Sequence, residues 1–260
     1  MNLKPLSKTT YQDFKKCPQF AYNRKIKKIQ PPVGEAAIKG VQFHNIISDI
    51  IEGESEEVAR KKITYPEIEA WLTMTLHNKP LNKFKKVKSE AKVLATRNLE
   101  LTTNTKEADL IGIFDLVWFD KITQSLMILD WKTGRYENDS EIERNLYAAL
   151  GKALYPNAKT IFFELYFVQT GRSMISTYSW AAKDKVMVVK PPHGDVKIHR
   201  EQLNPMLFWV NEIIDDVESS DGSPTPGTQC RNWYGAECFY LREHCPAYVN
   251  GRKVRNAKVA

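Results

Sequence analysis

Residues 110–134 read LIGIFDLVWFDKITQSLMILDWKTG and contain two apolar runs on either side of a short polar segment. The apolar runs cover residues 110–119 and 126–131, and residues 120–125 between them have the composition of a turn. Apolar runs of this length, bounded by turn residues, predict two antiparallel strands joined as a hairpin. Because both runs are almost wholly apolar, we expect this hairpin to be buried in the centre of the fold.

Three charged side chains interrupt the apolar pattern. A turn centred near Ile122 and Thr123 places Asp115 directly opposite Asp130. Cross-strand Cβ atoms lie roughly 4.5–5.5 Å apart, and two carboxylates at that distance repel unless a cation or proton lies between them. Lys132 follows Asp130 by two positions and shares its face of the strand. The pattern indicates an acidic metal site with a lysine beside it. The alternative is a simple Asp–Lys ion pair at the exposed end of a hairpin, and these strands alone leave both open.

The composition suits a folded protein with a polyanionic partner. At 260 residues the chain is long enough for one large domain or two small ones, and its 42% hydrophobic content argues against disorder. Thirty-eight basic against 31 acidic residues give a net charge of +7, although solubility is the simpler explanation of that charge. Basic and aromatic residues interleave at 15–28 and 83–92, as in a single-strand binding groove. For the first of these segments, a helical core stripe is the alternative use of the aromatic residues.

No segment has the character of a signal peptide or a membrane span. Residues 1–10 lack an apolar core, and no apolar run approaches the about 20 residues that a membrane helix needs. We therefore expect no membrane partner and a cytoplasmic location, which would be the host cytoplasm if the protein is viral. In a reducing cytosol, the four cysteines are expected to be free thiols or metal ligands rather than disulfides.

The rest of the chain is predicted as alternating helices and strands. Helices are predicted at residues 7–25, 35–52, 66–78, 141–155 and 199–219, and further strands at 90–96, 160–169 and 173–180. Residues 219–228 are rich in Ser, Pro and Gly and predict a linker. The predicted organisation is an N-terminal helix in residues 1–34, a core in 35–218, and a linker with a cysteine-containing element in 219–260.

Taken together, these features resemble the PD-(D/E)xK nuclease superfamily, and within it the RecB-like branch. That branch includes the CRISPR-adaptation nucleases and bacteriophage exonucleases with an iron–sulfur cluster. The resemblance spans nearly the whole chain and rests on residues 7–18, 40–44, 112–115, 130–134 and 143–167, in family order. It implies an α/β fold, with a restriction-endonuclease-like core whose mixed central sheet is flanked by helices. It also implies a cysteine clasp joining the N- and C-terminal segments.

The resemblance implies a role for each matching residue. His44, Asp115 and Asp130 would bind divalent cations, Mg²⁺ or Mn²⁺, for which oxygen-rich ligands are suited. The backbone carbonyl of Trp131 would be a further ligand, and Lys132 would be the catalytic lysine. The cation would polarise the scissile phosphate and activate a water, while the lysine would orient that water or offset transition-state charge. Without the other motifs, His44 would be interpreted as an ordinary core histidine.

The helix after the lysine departs from the branch at one position. The branch commonly has a glutamine four residues before a tyrosine, and Tyr147 matches that tyrosine, which implies a catalytic, nucleic-acid-contacting role. Glu143 stands where the glutamine is expected. A carboxylate near a phosphate would repel it, so Glu143 turns away, binds a cation, or does not align with the glutamine.

The cysteines match part of the branch in outline. Cys17 precedes the core, and Cys230, Cys238 and Cys245 follow it, as in members that bind a four-iron four-sulfur cluster. Four thiolates would bind such a cluster or, as the lesser alternative, a tetrahedral zinc, and unligated thiols are the third interpretation. The first two downstream cysteines lie further apart than is usual in the family, so residues 231–237 would loop out.

The predicted function is that of a metal-dependent deoxyribonuclease that hydrolyses phosphodiester bonds. The resemblance implies an exonuclease acting on single-stranded or end-exposed DNA. One alternative is a DNA-binding or assembly factor that keeps the fold and acts mainly through a partner, and Glu143 is the residue that favours it. The other alternative is a structure-specific endonuclease that acts on DNA or RNA.

Overall fold

A computed structural model describes residues 2–79, 87–135, 140–179, 186–189, 196–199, 205–223, 248–249 and 252–253. The helices are α1 (Lys8–Lys16), α2 (Pro18–Lys25), α3 (Glu35–Ile51), α4 (Glu56–Arg60), α5 (Pro66–Asn78), α6 (Glu141–Leu154) and α7 (Pro205–Ser219). The strands are β1 (Lys88–Ala95), β2 (Leu110–Asp120), β3 (Ser125–Lys132), β4 (Thr160–Phe167), β5 (Arg172–Ser179), β6 (Val186–Val189), β7 (Val196–His199), β8 (Tyr248–Val249) and β9 (Arg252–Lys253).

One mixed sheet contains β1 to β5 in sequence order. Strands β3 and β4 are parallel, and the other neighbouring pairs are antiparallel. A parallel pair needs a crossover along one face of the sheet, and α6 supplies it here. Strands β6 with β7 and β8 with β9 form two separate short hairpins.

Helices cover both faces of the central sheet. Apolar side chains of α1, α2, α6 and α7 share one buried cluster with one face of the sheet. Those of α3, α4 and α5 share a second cluster with the other face. The mixed sheet flanked by helices confirms that part of the predicted α/β fold. Among the described residues, no helix has the length and apolar character that a bilayer span requires.

Two helix predictions were wrong in their bounds. The helix predicted over residues 7–25 is two helices, because Cys17 is extended (φ −168°, ψ 121°) and Pro18 begins α2. A residue before proline is disfavoured in the helical region, and proline is favoured at a helix start. The helix predicted from His199 begins at Pro205 instead, and His199 ends β7. The division of the chain into residues 1–34, 35–218 and 219–260 stays a prediction. Residues 224–247 lie outside the described ranges.

Candidate active site

The β2–β3 hairpin has the register that the sequence predicts. Leu116 pairs with Leu129 and Asp120 with Ser125, and extending this register by one residue past the last pair places Asp115 opposite Asp130. Both aspartates are buried, with 9% and 5% of their surface exposed. Their burial contradicts the alternative of an ion pair at the exposed end of a hairpin.

Where the β2–β3 pairing ends, the Asp115 side chain replaces a backbone carbonyl as a hydrogen-bond acceptor. Its Oδ2 accepts a hydrogen bond from the backbone N–H of Trp131 at 2.6 Å. The alternation of β2 also breaks here, because Phe114 packs in the first cluster and Leu116 in the second. The side chain of Asp115 thus lies where β2 and β3 stop pairing, with its second oxygen facing the neighbouring elements.

That second oxygen belongs to a group of three candidate metal ligands. His44 Nδ1, from α3, lies 3.3 Å from Asp115 Oδ1. Glu90, from β1, completes the group, and one ligand atom from each of the three lies within 4.8 Å of the others. Two carboxylates and an imidazole this close together form a set of donors that fits a divalent cation.

Glu90 is the one member of this group that the sequence did not reveal. The β1–β2 register pairs Ser89 with Leu116 and Ala91 with Phe114, which brackets Glu90 in the row of Asp115. Its φ of 47° is left-handed, a conformation that costs a non-glycine residue about 1–2 kcal/mol. Such strain is found disproportionately at functional sites. Neither the register of β1 nor this backbone angle can be derived from the sequence of one strand.

The electrostatics of the group favour a bound proton or cation. Although Glu90 is exposed, partial desolvation and the neighbouring Asp115 carboxylate raise its pKa. Burial alone would lower the pKa of His44, but the Asp115 carboxylate outweighs it and raises that pKa above its ordinary value. The carboxylate of Asp130 contributes to both shifts. The negative potential that raises these pKa values also attracts a divalent cation.

Asp130 and Lys132 form the second half of the site. The two side chains make an ion pair on one face of β3, as their spacing predicts. Burial, and then the Asp115 carboxylate, raise the pKa of Asp130, which Lys132 opposes. Burial would lower the pKa of Lys132, but Asp130 and Glu143 hold it above its ordinary value. Lys132 therefore remains an ammonium group at neutral pH.

Glu143 pairs with two lysine ammonium groups. Binding a cation was one of the three possibilities that the sequence left open. It is 1% exposed in the first turn of α6. Its Oε1 accepts from Lys132 Nζ at 2.7 Å and also contacts Lys8 Nζ, from the first turn of α1. The carboxylate is therefore neutralised by lysines at the position where an amide was expected.

Tyr147 lies against the same hairpin. Its ring makes edge-to-face contacts with Phe114 and Phe163, with centroids 5.4 and 5.3 Å apart. Burial, and then the carboxylates of Asp130 and Asp115, raise the pKa of Tyr147 well above its ordinary value. The phenol therefore stays protonated and keeps a hydrogen to donate.

Two glycines allow the helices to approach this site closely. A Cβ on Gly40 of α3 would lie 2.8 Å from Thr133 Oγ1, just past Lys132. A Cβ on Gly112 of β2 would lie 2.5 Å from Leu150 Cδ1 of α6. His44 lies one turn after Gly40, and a Cβ on Gly112 would lie 3.4 Å from the Tyr147 ring, so the positions of both residues depend on the absence of side chains at these glycines.

The remaining predicted site residues are Trp131 and the four cysteines. The Trp131 side chain is buried in the second cluster and contacts Tyr166 edge to face, so only its backbone is available to the site. Cys17 is a partly buried free thiol between α1 and α2. Cys230, Cys238 and Cys245 lie outside the described residues.

Comparison with known families agrees with this geometry. A family model described as the PD-(D/E)XK nuclease superfamily matches residues 5–246. The chain belongs to the PD-(D/E)XK nuclease superfamily. No curated protein matches it. Four solved chains do, among them one described as "Crystal structure of SSO0001". That similarity covers 93% of this chain and 96% of the other, at 13% identity and a TM-score of 0.34, and it carries no functional argument.

Membership assigns the coarse class of the active site. Nucleases of this superfamily use divalent metals, and the carboxylate-rich group around Asp115 fits that chemistry. The mixed five-stranded sheet with helices on both faces is consistent with a restriction-endonuclease-like fold.

Proposed function

We propose that this member of the PD-(D/E)XK superfamily is a metal-dependent deoxyribonuclease that hydrolyses phosphodiester bonds. One observation carries the proposal: Asp115 and Asp130 are buried side by side in adjacent strands, with the Lys132 ammonium on Asp130. Burying such charges costs several kcal/mol unless they serve a ligand or are fully compensated. A cation and a phosphate are the ligands that two aspartates and a lysine fit best.

The proposed metal ligands are His44, Asp115, Asp130 and the backbone carbonyl of Trp131, with Glu90 added on structural grounds. Oxygen donors outnumber nitrogen, which suits Mg²⁺ or Mn²⁺ better than zinc. When bound, such a cation polarises a phosphate and lowers the pKa of its water.

The remaining side chains supply charge and position. Lys132 is held between Asp130 and Glu143, so its ammonium is fixed where it offsets negative charge that develops on the phosphate. Tyr147 presents a neutral phenol next to the carboxylates, which suits a hydrogen bond to the nucleic acid. Neither group has to change its protonation state in order to act.

The proposed substrate is single-stranded or end-exposed DNA, cut by an exonuclease. The net charge of +7 and the basic residues 15–28 are compatible with a polyanion, and the preference for ends comes from the resemblance to the RecB-like branch. Glu143 was the residue that favoured a DNA-binding factor without cleavage. Its contacts with Lys8 and Lys132 support cleavage instead, because the carboxylate does not face a phosphate unneutralised.

A metal-removal experiment on linear and circular DNA tests both the metal dependence and the requirement for a free end. With a 5′-labelled linear single strand, we expect no product in EDTA and short products once Mg²⁺ or Mn²⁺ is restored. We expect a closed circular single strand of the same sequence to remain intact, because it has no end. Cleavage of the circle would show that the activity is that of an endonuclease and not of an exonuclease. Equal cleavage of the linear strand with and without the metal would contradict the metal-dependent mechanism itself.

We also propose that Cys17, Cys230, Cys238 and Cys245 bind a four-iron four-sulfur cluster, with zinc as the alternative. Support comes from the resemblance and from the position of Cys17, whose thiol is partly exposed at the break between α1 and α2. A cluster there would fasten the C-terminal segment to the first helices and would be structural.

Anaerobically purified protein is expected to be brown, and the Cys238→Ser variant is expected to lose the visible absorbance together with its bound iron. The measurement is an absorbance spectrum with metal analysis of both proteins. We expect the variant's chain ends to become more accessible to protease while the aspartates still bind Mn²⁺. A colourless, iron-free and zinc-free protein of full stability would exclude the clasp.

A further inference from the structure

Helix α1 brings a second lysine to the active site. Lys8 and Lys132 contact the same carboxylate oxygen, Glu143 Oε1, although Lys8 lies 135 residues before Glu143 in the chain. One turn further along α1, Gln12 donates to Ser140, the N-cap of α6, at 3.0 Å. The same face of α1 is therefore attached to the first turn of α6 at two points.

Local helix stability does not explain Lys8. The first turn of a helix favours acidic side chains, because its free N–H groups carry partial positive charge. Lys8 is the first residue of α1, and that turn contains no acidic residue. Burial, and then the Lys132 ammonium, lower the pKa of Lys8, so the residue lies in a place that is unfavourable for its own charge. Its compensation comes from Glu143.

The charge balance around Glu143 shows what Lys8 contributes. Two ammonium groups and one carboxylate leave this trio with a net charge of +1. Without Lys8, Glu143 and Lys132 would form a neutral pair. Asp130 pairs with Lys132 in either case, so removing Lys8 changes the summed charge of these groups and Asp130 from zero to −1, which repels a phosphate.

From this geometry we infer that Lys8 is a positioning residue for Lys132. By neutralising Glu143, it leaves the Lys132 ammonium available to the scissile phosphate. The inference rests on the proposed function, and it gives α1, which precedes the sheet, a part in the reaction. It also accounts for an acid at a position where an amide was expected, since the Lys8–Glu143 pair together carries no net charge.

A double-mutant cycle tests this role. Lys8→Met lowers the charge of the trio to zero, Glu143→Gln raises it to +2, and the double variant restores +1. We expect Lys8→Met to lower kcat about tenfold with little change in KM, because the loss affects the transition state. Glu143→Gln removes one of the two carboxylates that hold Lys132, and we expect the double variant to be within about threefold of Glu143→Gln alone, because Lys8 then has no carboxylate to neutralise. Lys8→Arg, which keeps the charge, should restore most of the activity that Lys8→Met loses.

Lys61→Met is the matched control, because it removes one lysine from an exposed pair with Glu57 and is expected to leave kcat unchanged. Thermal unfolding of every variant shows whether it is folded. A double variant slower than Glu143→Gln by the full factor that Lys8→Met shows alone would overturn the role of Lys8, since independent losses multiply. That outcome differs from failure of the proposed function, in which the unsubstituted protein itself cleaves nothing.

Discussion

Asp115→Asn is expected to lower metal-dependent DNA cleavage at least about 1,000-fold, since loss of a metal ligand removes several kcal/mol of transition-state stabilisation. Asp115 is the residue that both halves of the site share. Its Oδ1 lies beside His44, and the ladder register places it opposite Asp130. Removing its charge weakens the attraction for a cation at the point where the three candidate ligands meet.

The asparagine is chosen because it retains the structural role. Its side-chain oxygen still accepts from the Trp131 backbone N–H, which the Asp115 carboxylate binds at 2.6 Å. The fold is therefore expected to survive, and thermal unfolding checks this. Titration calorimetry with Mn²⁺ should show weaker binding in the variant. Glu57→Gln, in an exposed ion pair with Lys61, is the control and should match the unsubstituted protein. Full cleavage by Asp115→Asn would show that Asp115 is not part of the active site.

Lys132→Ala is expected to lower kcat by about 10² to 10³, the effect of removing one group that stabilises developing charge. The physical reason is that its ammonium is fixed by Asp130 and Glu143 before the substrate arrives. Lys8 remains to neutralise Glu143, so the variant does not leave that buried carboxylate without a cation.

Metal binding separates this variant from Asp115→Asn. Losing Lys132 makes the surroundings of Asp130 more negative, so Mn²⁺ is expected to bind at least as tightly as in the unsubstituted protein. Calorimetry and single-turnover cleavage on the same preparation provide the comparison. If Mn²⁺ binding and cleavage fell together in Lys132→Ala, the lysine would be supporting the metal ligands rather than acting on the phosphate.

The hairpin could be predicted because its information is local. Two apolar runs around one short turn fix the register, and the register places Asp115 opposite Asp130. Strand alternation then places Lys132 beside Asp130, and the structure has that ion pair. Burial of the aspartates, which the hairpin alone left open, follows from the helices on both faces of the sheet.

The missed features depend on contacts between distant parts of the chain. Glu90 joins the site through the pairing of β1 with β2, for which its own segment carries no signal. Lys8 reaches Glu143 across 135 residues, and only the packing of α1 on α6 reveals it. The break at Cys17 was also missed, although its signal is local: Pro18 disfavours a helical residue before it.

Cleavage of a labelled DNA strand in Mg²⁺ by the unsubstituted protein, Asp130→Ala and Lys132→Ala, purified in parallel, tests the nuclease assignment most directly. We expect rapid cleavage by the first protein and almost none by the two variants, because each lacks one member of the buried ion pair. Equal cleavage by all three proteins would point to a contaminating nuclease and would contradict the assignment of this site.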